Sequence, residues 1–141
     1  LTGENRMLRA DILHDAGASL IPALDIGQVE GGYVQGAGWL TTEELVWDDT
    51  GRLRTHAPST YKIPACGDRP DVFNVALWDG ENRADTIYKS NAVGEPPLML
   101  GISAFLALSD AVSACGPNYP DLHAPATAEG VLAAIHRARD V

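Results

Sequence analysis

The sequence predicts an α+β fold in which helices pack on a mixed or antiparallel sheet. Three patterns carry that expectation. Asp71 to Trp78 alternates polar and apolar residues at the strand period, while Ile26, Val29, Tyr33 and Val34 recur at helical spacing. Leu98 to Leu108 is apolar nearly all round, as a helix buried inside a protein should be. The 141 residues make about one domain.

In chain order, Arg6 to His14 reads as the first strand, closed by a turn at Asp15-Ala16-Gly17. A helix follows from an N-cap at Asp25 to about Trp39. Its five glycines, Gly27, Gly31, Gly32, Gly36 and Gly38, each cost about 1 kcal/mol relative to alanine. Either small residues face a neighbouring element closely, or Gly31 and Gly32 let a large ligand lie against the backbone while Gln28 or Gln35 bonds it.

Thr41–Trp47 and Arg52–His56 read as hairpin arms around the turn signal Asp48-Asp49-Thr50-Gly51, and Ala57 to Pro64 as extended loop. After the strand Asp71–Trp78, a turn at Asp79–Asn82 leads to a short strand at Ala84–Tyr88. The buried helix spans Pro97 to Cys115, stopped by Gly116-Pro117. Thr127 caps a last helix, Ala128–Arg139, whose face is Val131, Leu132, Ile135 and Ala138, with His136, Arg137 and Arg139 complementing its dipole.

A net charge of −9, with only ten Lys and Arg, argues against a nucleic-acid or anionic-membrane surface. Two cysteines, Cys66 and Cys115, make neither a metal spacing nor a disulfide framework, which fits a reducing, cytoplasmic setting. No apolar run is long enough to span a bilayer comfortably, and no signal peptide is visible. The start at Leu1-Thr2-Gly3-Glu4, without Met, is expected of a piece of a longer chain.

His14, His56, His123 and His136 stand singly, without helical ligand spacing, so no metal site is expected from side chains. Ser19, Ser59 and Thr60 suit turns, as do Asp48, Asp49 and Asp79, and Glu43-Glu44 reads as a solvated pair. Glu95 differs. It lies between Gly94 and Pro96-Pro97 at the head of the apolar helix, with Pro96 restricting its backbone and Pro97 suited to the first helical turn. Residue chemistry leaves two roles open. Its carboxylate either caps the first turn, or serves as a general base whose pKa is set by the opposed effects of helix dipole and desolvation.

Three stretches together resemble the molybdenum hydroxylase family, and within it the C-terminal end of the molybdenum-binding part of xanthine dehydrogenases. They are Asp25-Ile26-Gly27-Gln28-Val29-Glu30-Gly31-Gly32-Tyr33-Val34-Gln35-Gly36, Pro58-Ser59-Thr60-Tyr61-Lys62-Ile63-Pro64 and Ala92-Val93-Gly94-Glu95-Pro96-Pro97. The likeness runs from about Thr2 to Ser113, and the tail from Cys115 is similar to bacterial members only. It implies that residues 1–141 are the C-terminal portion of a molybdopterin-binding domain, with residues 117–141 a bacterial-type loop and helix.

The resemblance further implies that Glu95 is the general base toward a molybdenum-bound hydroxyl, in hydroxylation of hypoxanthine and xanthine to urate. Gln28 would hydrogen-bond molybdopterin, with Gly31, Gly94 and Val93 against the same cofactor. Asn91 stands where vertebrate relatives often carry Lys. The remaining substrate-holding residues and the rest of the large subunit would lie outside this stretch, leaving the fragment alone inactive. Electrons would pass through [2Fe-2S] clusters and FAD of a partner subunit to NAD, in a heterotetramer. An aldehyde oxidoreductase of the same superfamily, or a non-catalytic packing or binding domain, are the competing readings.

Overall fold

A glycine-rich helix, α1 (Pro22–Thr41), packs against the second strand and the two helices that follow it, and the last helix packs on the third. The computed structural model describes residues 2–139. In order they form β1 (Arg9–His14), α1, β2 (Val72–Leu77), α2 (Pro97–Leu100), α3 (Ile102–Ser113) and α4 (Ala128–Arg139), with single 3-10 turns at Cys66–Asp68 and Ile87–Lys89.

The α+β class is as expected, but the two strands pair in parallel, Arg9 opposite Val72 through His14 opposite Leu77. Parallel partners need a long crossover, and the connection containing α1 supplies it. One side chain reinforces the register: Asn74 donates to Asp11, its partner across the pair, at 2.7 Å. Val29, Tyr33 and Ala37 of α1 are buried, as is Ala10 of β1. Tyr33 lies 5.5 Å from Phe73 between ring centres, and its hydroxyl donates to the Met7 sulfur.

A second core joins α3 to α4 through Val112, Ala126, Val131 and Ala134, flanked by Phe105, Leu108, Leu122 and Ile135. Thr127 caps α4 as expected, its hydroxyl accepting from Gly130 N at 3.2 Å. The Ala126 amide donates to the Leu40 carbonyl at 2.7 Å and ties this unit to the end of α1.

Four local expectations are corrected. Helix α1 begins with Pro22 rather than after Asp25, because Ile21 O accepts from Leu24 N and Asp25 N; the Asp25 carboxylate instead accepts from Ser19 Oγ. The expected hairpin is shortened to a single bridge, Trp47 with Leu53, with Arg54 N donating to Val46 O and Asp48 N to Arg52 O, while Asp48 Oδ1 takes the amides of Thr50 and Arg52 within the turn. Ala84–Tyr88 is not a strand. Tyr88 and Lys89 have left-handed φ of 54° and 58°, which a strand does not accept.

The apolar helix is also two pieces, and it is not buried all round. Its trace stays right-handed through Gly101, but Met99, Ile102 and Leu106 are 55%, 45% and 59% exposed. The Pro97–Gly101 side faces α1 closely, and in α3 Val112 is buried in the core with α4 while Phe105 and Leu108 pack beside it.

Candidate functional site

The glycines of α1 divide by what stands before them. A Cβ on Gly36 would overlap the Leu98 carbonyl, one on Gly32 would come within 2.8 Å of Pro97 Cβ, and one on Gly38 would strike Pro64. Close packing therefore accounts for these three, including Gly32, which the sequence also offered to a ligand. Gly27 and Gly31 meet nothing within 4 Å. Gln28, Gly31 and Gln35 are exposed, and their spacing puts them on one outward stripe of the helix.

This packing brings the Gly94 segment to Gln28. A Cβ on Gly94 would lie 3.7 Å from Gln28 Oε1, so the carboxamide stands over a residue with no side chain. Val93 is half-buried beside it and Glu95 exposed. Among the described residues the Gln28 carboxamide has no hydrogen-bond partner, which leaves its donors and acceptor to an incoming group. Four predicted cofactor contacts, Gln28, Gly31, Val93 and Gly94, thus come from two segments that meet at the α1–α2 contact, with the predicted base, Glu95, next in the chain.

Glu95 does not cap the helix that follows. Pro96 occupies the cap position, no side chain bonds the first turn, and α2 is only four residues long. The Glu95 backbone carbonyl accepts from Leu98 N at 3.1 Å, while its carboxylate makes no hydrogen bond among the described residues. Its exposure means that these residues do not supply the apolar walls expected to desolvate it.

The second motif sits at the other end of α1. The Tyr61 hydroxyl donates to Glu43 Oε2 at 2.6 Å, Thr42 Oγ1 donates to the Lys62 carbonyl at 2.8 Å, and Pro64 covers Gly38. The expected solvated pair is thereby corrected: Glu43 is 9% exposed and bonded, and only Glu44 faces solvent. That hydrogen bond raises the Tyr61 pKa above the ordinary phenol value, since the donated proton is held by the carboxylate. The sequence pattern missed this pair because the two residues are far apart in the chain. The signal was Tyr61 inside a proline-bounded loop, where a half-buried phenol seeks a partner.

A groove of about 1180 Å³ runs between β1, α1 and α3, lined by Leu8, Ile12, Tyr33 and Leu106, and it contains none of the predicted site residues. Those residues form an open rim instead. No three His, Cys, Asp or Glu gather as metal ligands among the described residues, and Cys66 and Cys115 are unpaired thiols. No helix among them is long and apolar enough to cross a membrane.

The rim fits a flat, polar-edged ligand. Gln28 offers a free carboxamide, and Gly31 and Gly94 leave its approach clear of side chains.

Comparison with known proteins gives an independent view of the chain. Residues 1–70 match a molybdopterin cofactor-binding domain. The chain is 49% identical over 139 residues to the xanthine dehydrogenase/oxidase of Felis catus and 46% identical over 136 residues to the xanthine dehydrogenase of Dictyostelium discoideum, in each case over 93% of this chain and 10% of the relative. It therefore spans about a tenth of the length of these curated relatives. In fold it superposes on a CO dehydrogenase from Oligotropha carboxidovorans with a TM-score of 0.83 and 21% identity, covering 97% of this chain and 17% of that one. By these matches this chain belongs with the xanthine dehydrogenases, as part of a molybdopterin-binding region.

Proposed function

We propose that this chain forms one wall of the active site of a xanthine dehydrogenase, with Glu95 as its general base. The observation that carries the reading is Gln28 standing over Gly94 beside a carboxylate left out of helix capping. Gln28 would hydrogen-bond molybdopterin, and Gly31, Gly94 and Val93 would form the surface against it. The bound cofactor supplies the metal that activates oxygen and accepts the electrons of substrate oxidation. Glu95 receives the proton of the attacking oxygen, and its carboxylate is available because no helix turn uses it.

The substrate proposed is hypoxanthine or xanthine, oxidised toward urate in purine catabolism, on the strength of the relatives' names. The proposal includes the remainder of the large subunit, an iron–sulfur and FAD subunit passing electrons to NAD, a heterotetramer and a cytoplasmic setting. It also assigns residues 1–141 to the C-terminal part of the molybdopterin-binding domain; the bacterial-type ending expected of residues 117–141 is not kept, because the similarity to the Felis catus relative covers 93% of this chain.

Glu95→Gln in the complete enzyme tests it. Turnover of xanthine should fall by about 10²–10⁴-fold, the usual worth of a general base, with molybdenum content close to wild type. Near-normal turnover would remove Glu95 from the role. Faster oxidation of an aromatic aldehyde than of xanthine by the wild-type enzyme would move the protein to the aldehyde oxidoreductases.

A further inference from the structure

We propose that the turn after β1 and Asn91 form a clasp that positions Glu95, with Asp15 and Asn91 as its positioning residues; the proposal rests on the reading of Glu95 as base. Asn91 lies four residues before Glu95, and the chain between them has no regular secondary structure. Where Asn91 is held therefore decides where Glu95 starts.

Backbone and side chains hold it together. Gly17 and Ser90 form an antiparallel bridge. The Ala18 amide donates to the Lys89 carbonyl at 2.9 Å, Asn91 N donates to the Ala16 carbonyl at 2.8 Å, and Asn82 N reaches the same Lys89 carbonyl at 3.0 Å. Asp15 Oδ1 accepts from Gly17 N at 2.8 Å and from Asn91 Nδ2 at 3.4 Å, while Asn91 Oδ1 accepts from Asn82 Nδ2 at 2.5 Å.

The approach is close enough to require glycine. Gly17 has φ +59°, and a Cβ there would overlap the Lys89 carbonyl. On the other side of the clasp, Tyr88 and Lys89 adopt left-handed angles that such residues disfavour, held by Thr86 Oγ1 donating to Ser90 O and Ser90 Oγ donating to Ile87 O, both at 2.8 Å. Disfavoured backbone persists only where its surroundings over-determine it, and here they fix the segment leading to Glu95. Beyond Glu95 the chain is fixed again, by Pro97 against Gly32. The carboxylate hangs between two anchored points.

Exchanging the polar groups tests the clasp in the complete enzyme. Asn91→Asp sets a second carboxylate beside Asp15. The double variant Asp15→Asn with Asn91→Asp restores one amide facing one carboxylate, with acceptors still present for Gly17 N and Asn82 Nδ2. Asn91→Asp should lower kcat for xanthine about tenfold, as a small misplacement of a reacting group does, with KM, molybdenum content and Tm unchanged. Amide hydrogen exchange over residues 89–95 should quicken. The double variant should return both kcat and exchange toward wild type.

Unchanged kcat and exchange in Asn91→Asp would overturn the proposal, as would a double variant that fails to recover. So would a loss confined to Tm and metal content, which marks a merely structural contact. If Asn91→Asp does not accumulate, Asn91→Ala is measured in the same way with the same expected losses. Glu95→Gln run alongside separates the two ideas: its retained turnover overturns the base reading, while the exchange data still decide whether the clasp exists.

Discussion

Gly36 of α1 and Gly101, between α2 and α3, meet backbone against backbone. A Cβ on Gly101 would overlap the Gly36 carbonyl carbon, although the Gly101 angles, φ −58° and ψ −22°, suit any residue. Proximity, not conformation, demands glycine here. Gly36→Ala and Gly101→Ala should each destabilise the complete protein by about 1–3 kcal/mol, the usual cost of overpacking, read as a lowered denaturation midpoint. Gly27→Ala, facing open space, should instead stabilise by roughly 1 kcal/mol through helix propensity.

Gly94→Ala separates ligand contact from folding. The added methyl would sit 3.7 Å from Gln28 Oε1, an ordinary contact, so the fold should tolerate it. Where the cofactor lies against this surface, that methyl intrudes on it. Molybdenum per protein should fall several-fold while Tm holds, and metal analysis of the purified enzyme with parallel thermal unfolding checks both halves.

Tyr61→Phe should cost about 1–3 kcal/mol, because it leaves the nearly buried Glu43 carboxylate without its donor. Adding Glu43→Gln to Tyr61→Phe should recover part of that loss, since a neutral amide is cheaper to leave in that place. Denaturation of the two variants against wild type measures the difference.

Asp11 predicts an acid limb. The hydrogen bond from Arg9, and then that from Asn74, hold its carboxyl below the ordinary 3.8, at about 2. A lowered folded-state pKa gives stability that is fully present above the ordinary value and lost as pH falls through the folded one. Asp11→Asn should therefore be less stable than wild type at pH 6, with the gap closing between about pH 4 and pH 2. Thermal unfolding across that range measures it.

Periodicity alone located β1, β2, α1 and α4, because each has one buried face with a regular repeat. It did not reveal that β1 and β2 run parallel, since alternation is the same in either direction. It overestimated the burial of Met99, Ile102 and Leu106, because an apolar side chain records a preference and not a neighbour. The hairpin proved shorter than its pattern, one bridge beside a turn whose amides the Asp48 side chain takes. At the site, the glycine content of α1 was visible, but the meeting of Gln28 with Gly94 was not, since no local pattern relates two segments on either side of β2. Only the combined motifs linked them. Asp15, read as a turn residue, and Asn82 were missed for the same reason.

The parallel pairing also says something about the order in which the molecule assembles. Asp15 and Asn91 are 76 positions apart, and the cross-strand bond from Asn74 to Asp11 spans 63. Contacts of such long range close late. Helix α1, weakened by five glycines, depends on tertiary packing to hold its form, so it is consolidated as the Pro97 segment docks and Gln28 acquires Gly94 as its neighbour. The surface at that corner is a product of the last folding steps, so a slowed docking would delay the site and the consolidation of α1 together.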